Sequence, residues 1–354
     1  MRGIGRQAGV SATTVAHVLN DTAGAKIAPE TRQKVLLIAQ EVGYRQARMA
    51  RSIRGRLRHL GVALNEGGLR GSGFASDLFS GVRHAAWERG YLPVAISAPG
   101  SAAWSDSEEA VNRLAELHAS KLVDGFLLDK PSFSSASIAR LHREGVPIVT
   151  VNGQPVDDGG QPVPSVAIDS LAGGRLAAEH LLALGHRRIA LLTRPYLAFP
   201  IAHRPWSVSQ LIRGYEEAFR AHAIEPDPAG LVREADATNK SAIYAAVDAL
   251  FGVADHPTAI FAGDDAVAVM IVHALARRGL RVPADVSVIA YGDSASIAPL
   301  AEPNLTTVPT PARENGILAS GLLTDLIERR TVPSPQISLS PHLVPGESTR
   351  ALQH

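Results

Sequence analysis

The stretch AGVSATTVAHVLN, residues 8–20, decides how the first part of the chain folds. Gly9 can adopt the backbone angles of a tight turn, and Ser11 is a favourable N-cap for the helix that follows. Val15, Val18 and Leu19 then lie on one face of that helix. The segment therefore predicts a short helix entered through a tight turn, as in the second helix of a helix-turn-helix.

The opposite face of this predicted helix carries only small or hydrogen-bonding side chains. They are Ala12, Thr13, Ala16 and His17. A helix with such a face, and with the positive end of its dipole leading, can enter the major groove of DNA without a steric block. The alternative is an ordinary surface helix, and the composition of the helix does not separate the two interpretations.

The charge distribution favours the DNA-binding interpretation. Residues 1–58 carry eleven Lys and Arg against three Asp and Glu, a net charge of +8, whereas the rest of the chain has a net charge of −7. A basic head on an acidic body is typical of a polyanion-binding module joined to a part that binds something else. A solvated basic arm is the simpler alternative.

Two further segments complete the predicted head. The sequence APETRQKVLLIAQEVGY predicts a third helix from about Pro29 to Val42. Its expected buried stripe is Val35, Leu36, Ile38, Ala39 and Val42. Residues 45–58 then carry six arginines, with Met49, Ile53 and Leu57 four apart, which predicts an amphipathic helix whose basic faces meet phosphates.

From residue 59 the pattern changes to short apolar runs that alternate with helical periodicity. LGVAL, LPVAIS, GFLLD and PIVTV form a first series, and RRIALLT, LVREA, AIFAG and SVIAY form a second. This alternation predicts an α/β body of two parallel sheets covered by helices. Lobes of this kind bind ligands at the carboxyl ends of their strands, so we expect a cleft between the two.

Composition excludes several classes of function. The chain of 354 residues contains no Cys, which excludes disulfides, thiolate nucleophiles and Cys-based zinc sites. The sequence shows no P-loop, dinucleotide-binding glycine pattern or HExxH motif, so we expect neither an enzyme nor a bound cofactor or metal. It also lacks an apolar stretch of membrane-spanning length and a signal peptide, so we expect a cytoplasmic protein that does not contact the membrane.

The head resembles that of the lactose-repressor-type (LacI/GalR) family of transcriptional regulators. The motifs that carry the resemblance are AGVSATTVAHVLN, PETRQKV, the following GY and ARSIR. The resemblance continues to the end of the chain through VAID, HLLALGHRRIALL, GLRVPADVSVIAYGD, LTTV and STR. It differs at the start, where MRGIG stands in place of the usual Thr-capped helix, so we expect either a weak first helix or a start further upstream.

This resemblance implies an all-α helix-turn-helix head and two Rossmann-like lobes of the periplasmic-binding-protein type. The expected head is 1–45 and the hinge helix 46–58. The first lobe is expected to be 59–184 plus 312–339, and the second 185–311 plus 340–354.

The resemblance also implies which residues contact DNA. Ala12, Thr13 and His17 match base-reading positions. Ser11, Thr14 and Asn20 match positions near the DNA backbone, and Lys26 and Arg51 are expected to join them. Ile53 matches a hinge position whose apolar side chain inserts into the minor groove and kinks the duplex.

For the effector, the resemblance implies an aromatic wall at Phe74 and hydroxyl acceptors at Asp169, Asp264, Asp265 and Asp293. A helix cap or loop acid is the alternative for Asp169 and Asp264. Two usual anchors are replaced, an Arg by Leu211 and an Asp by Gly292. Arg213, Arg204 and Trp206 are candidate substitutes, and the alternative is an effector that is not an ordinary sugar or is absent.

Together these features predict a homodimeric regulator that binds a near-palindromic operator in double-stranded DNA under the control of a small molecule, with a sugar as the candidate. Repression is the expected sign, with activation left open. A dimer is favoured over a tetramer because the sequence shows no carboxyl-terminal heptad tail. The rival interpretation is a ligand-binding protein of the periplasmic sugar-binding type without DNA regulation.

Overall fold

The structure is a computed structural model that divides into two compact units, Met1–Arg58 and His59–His354. It describes residues 2–20, 27–41, 58–63, 73–96, 108–129, 133–156, 159–193, 206–226, 232–234, 239–292, 300–332 and 335–352. The predicted hinge helix at 46–58 lies outside the described residues except for Arg58.

In the described residues 2–20 and 27–41, the first unit is a head of three helices around a small apolar core. The helices are α1 (Arg2–Ala8), α2 (Ala12–Asn20) and α3 (Pro29–Glu41). The buried core is Ile4, Ala8, Val15, Val18, Val35 and Ile38. Gly9 has φ +74° in the turn between α1 and α2, a left-handed conformation that favours glycine. Helix α1 forms although it begins with Arg-Gly-Ile-Gly, and its Ile4 and Ala8 are part of the buried core.

Leu36 of the predicted stripe on α3 is not buried. Val35 and Ile38 are in the core, but Leu36 is 44% exposed. Successive residues of a helix are about 100° apart, so a helix whose residues 35 and 38 point inward turns residue 36 toward solvent. The prediction for Leu36 was wrong for this reason.

The second unit alternates strands and helices along the chain. Its first part is β1 (Arg58–Ala63), α4 (Gly73–Glu88), β2 (Tyr91–Ile96), α5 (Glu108–Ala119), β3 (Gly125–Asp129), α6 (Ser135–Arg143), β4 (Ile148–Val151), β5 (Ser165–Ile168) and α7 (Ser170–Ala183). Its second part is β6 (Ile189–Thr193), α8 (Trp206–Ala221), β7 (Val232–Glu234), α9 (Lys240–Phe251), β8 (Ala259–Ala262), α10 (Asp265–Arg277), β9 (Ser287–Gly292), β10 (Thr306–Pro309), α11 (Ala312–Ile327) and β11 (Gln336–Leu339).

These strands form two sheets, one in each lobe. The first sheet has the order β11-β5-β4-β3-β1-β2, and the second has the order β10-β9-β8-β6-β7. The registered pairs β1–β3, β3–β4, β4–β5 and β5–β11 in the first sheet, and every pair in the second, are parallel. The central strands β3, β4, β5, β6 and β8 are buried along their whole length. Burial on both faces is the reason these strands read as uninterrupted apolar runs.

The chain crosses between the lobes after β5, after β10 and after β11. Helix α11 and strand β11 return to the first lobe, where α11 packs on α4 and β11 pairs with β5. The segment after β11 returns to the second lobe, where Val344 bridges Thr307 and the backbone N–H of Val288 donates to Ser348.

Helix α7 lies in the second lobe, although the sequence boundary at 184 assigned it to the first. Its residues Ala177 and Leu181 share a buried core with Ile289 of β9. Tyr291 of β9 also donates a hydrogen bond from its hydroxyl to Ser170 Oγ over 3.0 Å. The helical periodicity of α7 is the same whichever sheet it covers, so the sequence pattern could not assign it to a lobe.

The two helices that follow crossovers, α7 and α11, pack closely against a neighbouring helix of the lobe that they enter. In the first lobe, a Cβ at Gly81 of α4 would overlap the carbonyl oxygen of Arg313, and one at Gly316 of α11 would overlap that of Leu78. In the second lobe, Gly174 of α7 and Gly214 of α8 approach the carbonyl oxygens of Leu211 and Leu171 in the same way. Glycine is needed at all four positions because the backbones of the paired helices touch.

The last described residues are held in the second lobe by two histidines. His186 Nε2 lies 3.0 Å from Ser287 Oγ and 3.1 Å from the carbonyl oxygen of Arg350, while its Nδ1 lies 2.9 Å from Thr258 Oγ1. His180 Nε2 lies 3.0 Å from Thr349 Oγ1. Burial lowers the pKa of both imidazoles, so both favour the neutral form in the folded chain.

Replacing Gly316 by Ala should lower the free energy of unfolding by about 1–3 kcal/mol, because the added methyl group forces α4 and α11 apart. Gly321 on the same helix gives the matched control, since a Cβ there has Arg89 Nη2 as its nearest neighbour at 3.7 Å. Gly321→Ala should raise the unfolding free energy by up to about 1 kcal/mol through helix propensity. Denaturant unfolding followed by circular dichroism measures both, and equal effects would contradict the close contact.

Stability should fall as the pH drops below the ordinary histidine pKa of about 6.5. Because the folded pKa of His186 is lowered, the unfolded chain binds more protons between the two values. The stabilising contribution is therefore complete above the unfolded pKa and is lost as the pH falls toward the folded one. His186→Asn should flatten this dependence in thermal melts at several pH values, whereas His84→Asn, at an exposed histidine of α4, should leave it unchanged.

Candidate functional site

The start of α2 is fixed by a local hydrogen-bond network. Ser11 Oγ accepts from the backbone N–H of Thr14 at 3.0 Å and lies 2.9 Å from Thr14 Oγ1. This is the capping role that the sequence predicts for Ser11. Both hydroxyl groups remain exposed or partly exposed, so the cap and a contact to a phosphate are compatible.

The outer face of α2 is open and free of bulky side chains. Ala12 and Thr13 are exposed and His17 is partly exposed, whereas Val15 and Val18 are buried in the head. The side chain of Asn20 and the whole of Lys26, Arg51 and Ile53 lie outside the described residues. The three predicted base-reading positions therefore share one accessible face, behind a helix end that carries a partial positive charge.

In the second unit, topology places the carboxyl edges of the two sheets opposite each other. The crossover after β5 joins the end of the first sheet to α7 of the second lobe through Asp169 alone. The crossover after β10 joins the end of the second sheet to α11 of the first lobe through Thr310 and Pro311. Such short links bring each carboxyl edge to the other lobe, which is where an interlobe ligand would bind.

Two predicted effector residues lie at the first lobe and its boundary. Phe74 is partly buried and packs against the core of the first lobe. Asp169 is the N-cap of α7, with Oδ1 accepting from the backbone N–H of Ala172 at 2.9 Å, and its own N–H donates to the carbonyl oxygen of Leu339. Asp169 therefore joins two of the crossovers and has a capping role in addition to any role in binding.

Sequence reasoning missed a polar pair at the carboxyl edge of the first sheet. Asp129 ends β3 and is buried, and its Oδ1 accepts from Asn152 Nδ2 at 2.8 Å. Asn152 directly follows β4 and has φ +61°, a left-handed conformation that Asn tolerates better than most residues. The signal in the sequence was an acid ending the apolar run GFLLD and an Asn ending the next run.

Adjacent acids at the second lobe differ in their surroundings. Asp264 is the N-cap of α10, and its Oδ1 accepts from the backbone N–H groups of Ala266 and Val267. Asp265 is the first residue of α10 and is only 4% exposed. Neither of its carboxyl oxygens has a hydrogen-bond partner in the described part of the chain. Burial, and then the charge of Asp264, raises the pKa of Asp265 to about 7.

A row of polar positions runs along the same carboxyl edge in the order of the strands. Thr310 follows β10 and donates its backbone N–H to the carbonyl oxygen of Gly292 at 2.7 Å. Thr193 ends β6 and is buried, and its Oγ1 lies 3.1 Å from where a Cβ on Gly263 would be. The sequence analysis named neither threonine, because a lone Thr at a strand end is not a distinctive signal.

The residue that replaces the missing arginine and the two candidate substitutes on α8 have different surroundings. Leu211 is buried in the core of the second lobe. Arg213 is 60% exposed and its Nε lies 2.8 Å from Glu217 Oε1, so the structure pairs it with its own helix. Trp206 begins α8 and is partly buried, and Asp293 lies outside the described residues.

No group of three or more His, Asp or Glu side chains in the described ranges is arranged to hold a metal ion. In that same part of the chain, no helix is long and apolar enough to cross a membrane.

Comparison with known proteins gives two family matches and full-length relatives. Residues 1–46 match the bacterial regulatory proteins of the lacI family, and residues 178–349 match a periplasmic binding protein-like domain. The ribose operon repressor of Escherichia coli (strain K12) is 31% identical over 349 residues, covering 97% of this chain and 98% of the relative.

Solved structures give the same result. A complex of the transcriptional regulator CelR with cellobiose superimposes with a TM-score of 0.68 at 29% identity, covering 98% of both chains. A LacI family regulator from Enterococcus faecium with bound ribose gives a TM-score of 0.67 at 26% identity, covering 84% of this chain and 100% of that one. With its three-helix head, its two parallel-sheet lobes and a relative of this identity along nearly its whole length, the chain belongs to the lacI family of bacterial regulatory proteins.

Proposed function

We propose that the chain is a sequence-specific DNA-binding repressor whose affinity for its operator is controlled by a small molecule bound between the two lobes. The observation that carries this proposal is the open face of α2, formed by Ala12, Thr13 and His17, on a head that matches the lacI family. The second unit supplies a sensor rather than an active site, and the chain is not an enzyme. We place the protein in the cytoplasm, where operator DNA is found.

The head is expected to work as one of a pair. A homodimer brings two copies of α2 to the half-sites of a near-palindromic operator in double-stranded DNA. Ser11, Thr14, Asn20, Lys26 and Arg51 then contact the DNA backbone. The net charge of +8 on residues 1–58 attracts the duplex and makes binding depend on salt. Ile53 from each subunit inserts at the operator centre and bends the DNA.

The effector is expected to be a sugar or a related metabolite. Relatives with solved structures hold cellobiose or ribose, and both are polyhydroxylated molecules. Carboxylates suit such ligands because each accepts several hydroxyl hydrogen bonds. Phe74, Asp169, Asp264 and Asp265 line the two facing edges in this proposal. Trp206 and Asp293 are further candidates, whereas Arg213 is engaged by Glu217.

Coupling between the sites runs through the crossovers. A ligand that contacts both lobes changes their relative orientation, and the three crossovers are the segments that must turn. A ligand that contacts one lobe equally in both arrangements would shift nothing. A coupling free energy of about 1–3 kcal/mol between effector and operator is the usual size for such regulators.

The proposal is tested by binding of the full-length protein to the DNA upstream of its own gene, measured by fluorescence anisotropy over a salt series. Arg51→Ala should reduce the slope of log affinity against log salt by about one, because one phosphate contact is lost. Ile53→Gly should weaken operator binding by removing the minor-groove insertion. A wild-type protein that ignores DNA but binds sugars would instead support a plain ligand-binding protein.

Sequence preference is tested at Thr13. Thr13→Ala should cost about 1 kcal/mol at the base pair that the hydroxyl reads and relax the preference there, with little effect at other positions. Gln33→Ala, at an exposed residue of α3, is the control and should leave the preference unchanged. Measurements on operators with single base-pair changes distinguish the two, and a uniform loss across all sequences would show that Thr13 does not read bases.

A further inference from the structure

The carboxyl group of Asp265 is buried without a partner at the carboxyl edge of the second sheet. The residue is 4% exposed, and neither oxygen accepts a hydrogen bond from any described residue. Its neighbour Asp264 is different, because the backbone N–H groups of α10 satisfy it. A buried carboxyl that is left without hydrogen-bond donors destabilises a protein in general. Its presence here indicates a group outside the described chain that supplies the donors.

Gly292 makes room for this carboxyl group. A Cβ built on Gly292 would lie 2.8 Å from Asp265 Cγ, 2.9 Å from Oδ1 and 3.0 Å from Oδ2. The first two distances are shorter than real Cβ contacts and the third is tighter than most of them, so any larger residue at 292 would displace the carboxyl. Gly292 has no positive φ, and the close approach of Asp265 is therefore the reason for glycine here.

The surroundings of the pair are suited to a polar ligand. Thr310 contributes a buried Oγ1 without a partner among the described residues, and its backbone is hydrogen-bonded to Gly292. Thr193 ends β6, which pairs with β8, the strand that leads into Asp264 and Asp265, and it is also buried. Burial and the adjacent charge of Asp264 raise the pKa of Asp265 to about 7, which fits a carboxyl that lacks hydrogen-bond donors in the free protein.

We propose that Asp265 and Gly292 act as one specificity determinant: the carboxyl of Asp265 enters the space left by Gly292 and accepts hydrogen bonds from adjacent hydroxyl groups of a neutral, polyhydroxylated effector. The acceptor therefore comes from the first turn of α10 instead of from a side chain on strand β9. This inference rests on the proposed function, since it names the group that recognises the effector.

The geometry of the pair is tested without a ligand by a double-mutant cycle on the full-length protein. Gly292→Ala should lower the melting temperature of the wild type, because the new Cβ clashes with the carboxyl of Asp265. In the Asp265→Ala background the same change should have little effect, because the carboxyl is gone. Additive effects of the two substitutions would overturn the pairing.

Recognition is tested by calorimetric titration with D-ribose, D-glucose and cellobiose. At least one should bind the wild type, and Asp265→Asn should weaken its affinity about ten- to a hundredfold, the usual effect of losing hydrogen bonds to a charged group. Asp248→Asn is the matched control, since this acid lies on the surface of α9 and pairs with Arg278. It should leave the affinity unchanged.

Two outcomes would overturn the inference: no binding of any of the three sugars to the wild type, or equal binding to the wild type and Asp265→Asn. Operator binding of the same preparations separates this failure from a failure of the proposed function. If wild type and Asp265→Asn both bind operator DNA while sugar affinity is unchanged, only the role of Asp265 is rejected. If the wild type does not bind the operator, the regulator itself is rejected.

Discussion

Each lobe of the sensor depends on packing against a helix that follows a strand of the other lobe's sheet in the chain. Helix α7 follows β5 of the first sheet but packs in the second lobe, and α11 follows β10 of the second sheet but packs in the first. Helix α7 is held by direct backbone contact with α8 through Gly174 and Gly214, and α11 by direct backbone contact with α4 through Gly316 and Gly81. A side chain at any of the four positions would separate helices that both lobes require.

This exchange of helices explains where the polar residues collect. A short crossover keeps the end of its strand close to the opposite lobe, so Asp169 and Thr310 lie where the lobes are joined. The buried acids Asp129 and Asp265 end up on the two facing edges, one held by Asn152 and the other without a described partner. The residues that connect the lobes and those that are suited to hold a ligand thus share one region, which is the arrangement that a conformational sensor needs.

Much of this architecture could be predicted from the sequence, because helix caps and apolar periodicity depend on residues that are close together in the chain. Ser11 caps α2 as expected, and the alternating apolar runs form two parallel sheets. The lobe that holds α7 could not be predicted, because its periodicity does not say which sheet it covers. Arg213 could not be placed either, since an arginine near a motif can equally pair with Glu217 one turn later. The contact of Asp265 with Gly292 joins residues on different elements, so no spacing in the sequence reveals it.

The exchange of segments also has a consequence for the order in which the chain can fold on the ribosome. The core that the described residues of the head form contains no residue beyond α3, so it can close soon after residue 41 emerges. The first lobe lacks α11 and β11 until residue 339 has been synthesised. The second lobe lacks Val344, which bridges Thr307, and Arg350, whose carbonyl oxygen contacts His186, until residue 350 has been synthesised. During translation a folded DNA-binding head is therefore attached to an unfinished sensor, and a nascent chain presents the head before it can respond to any metabolite.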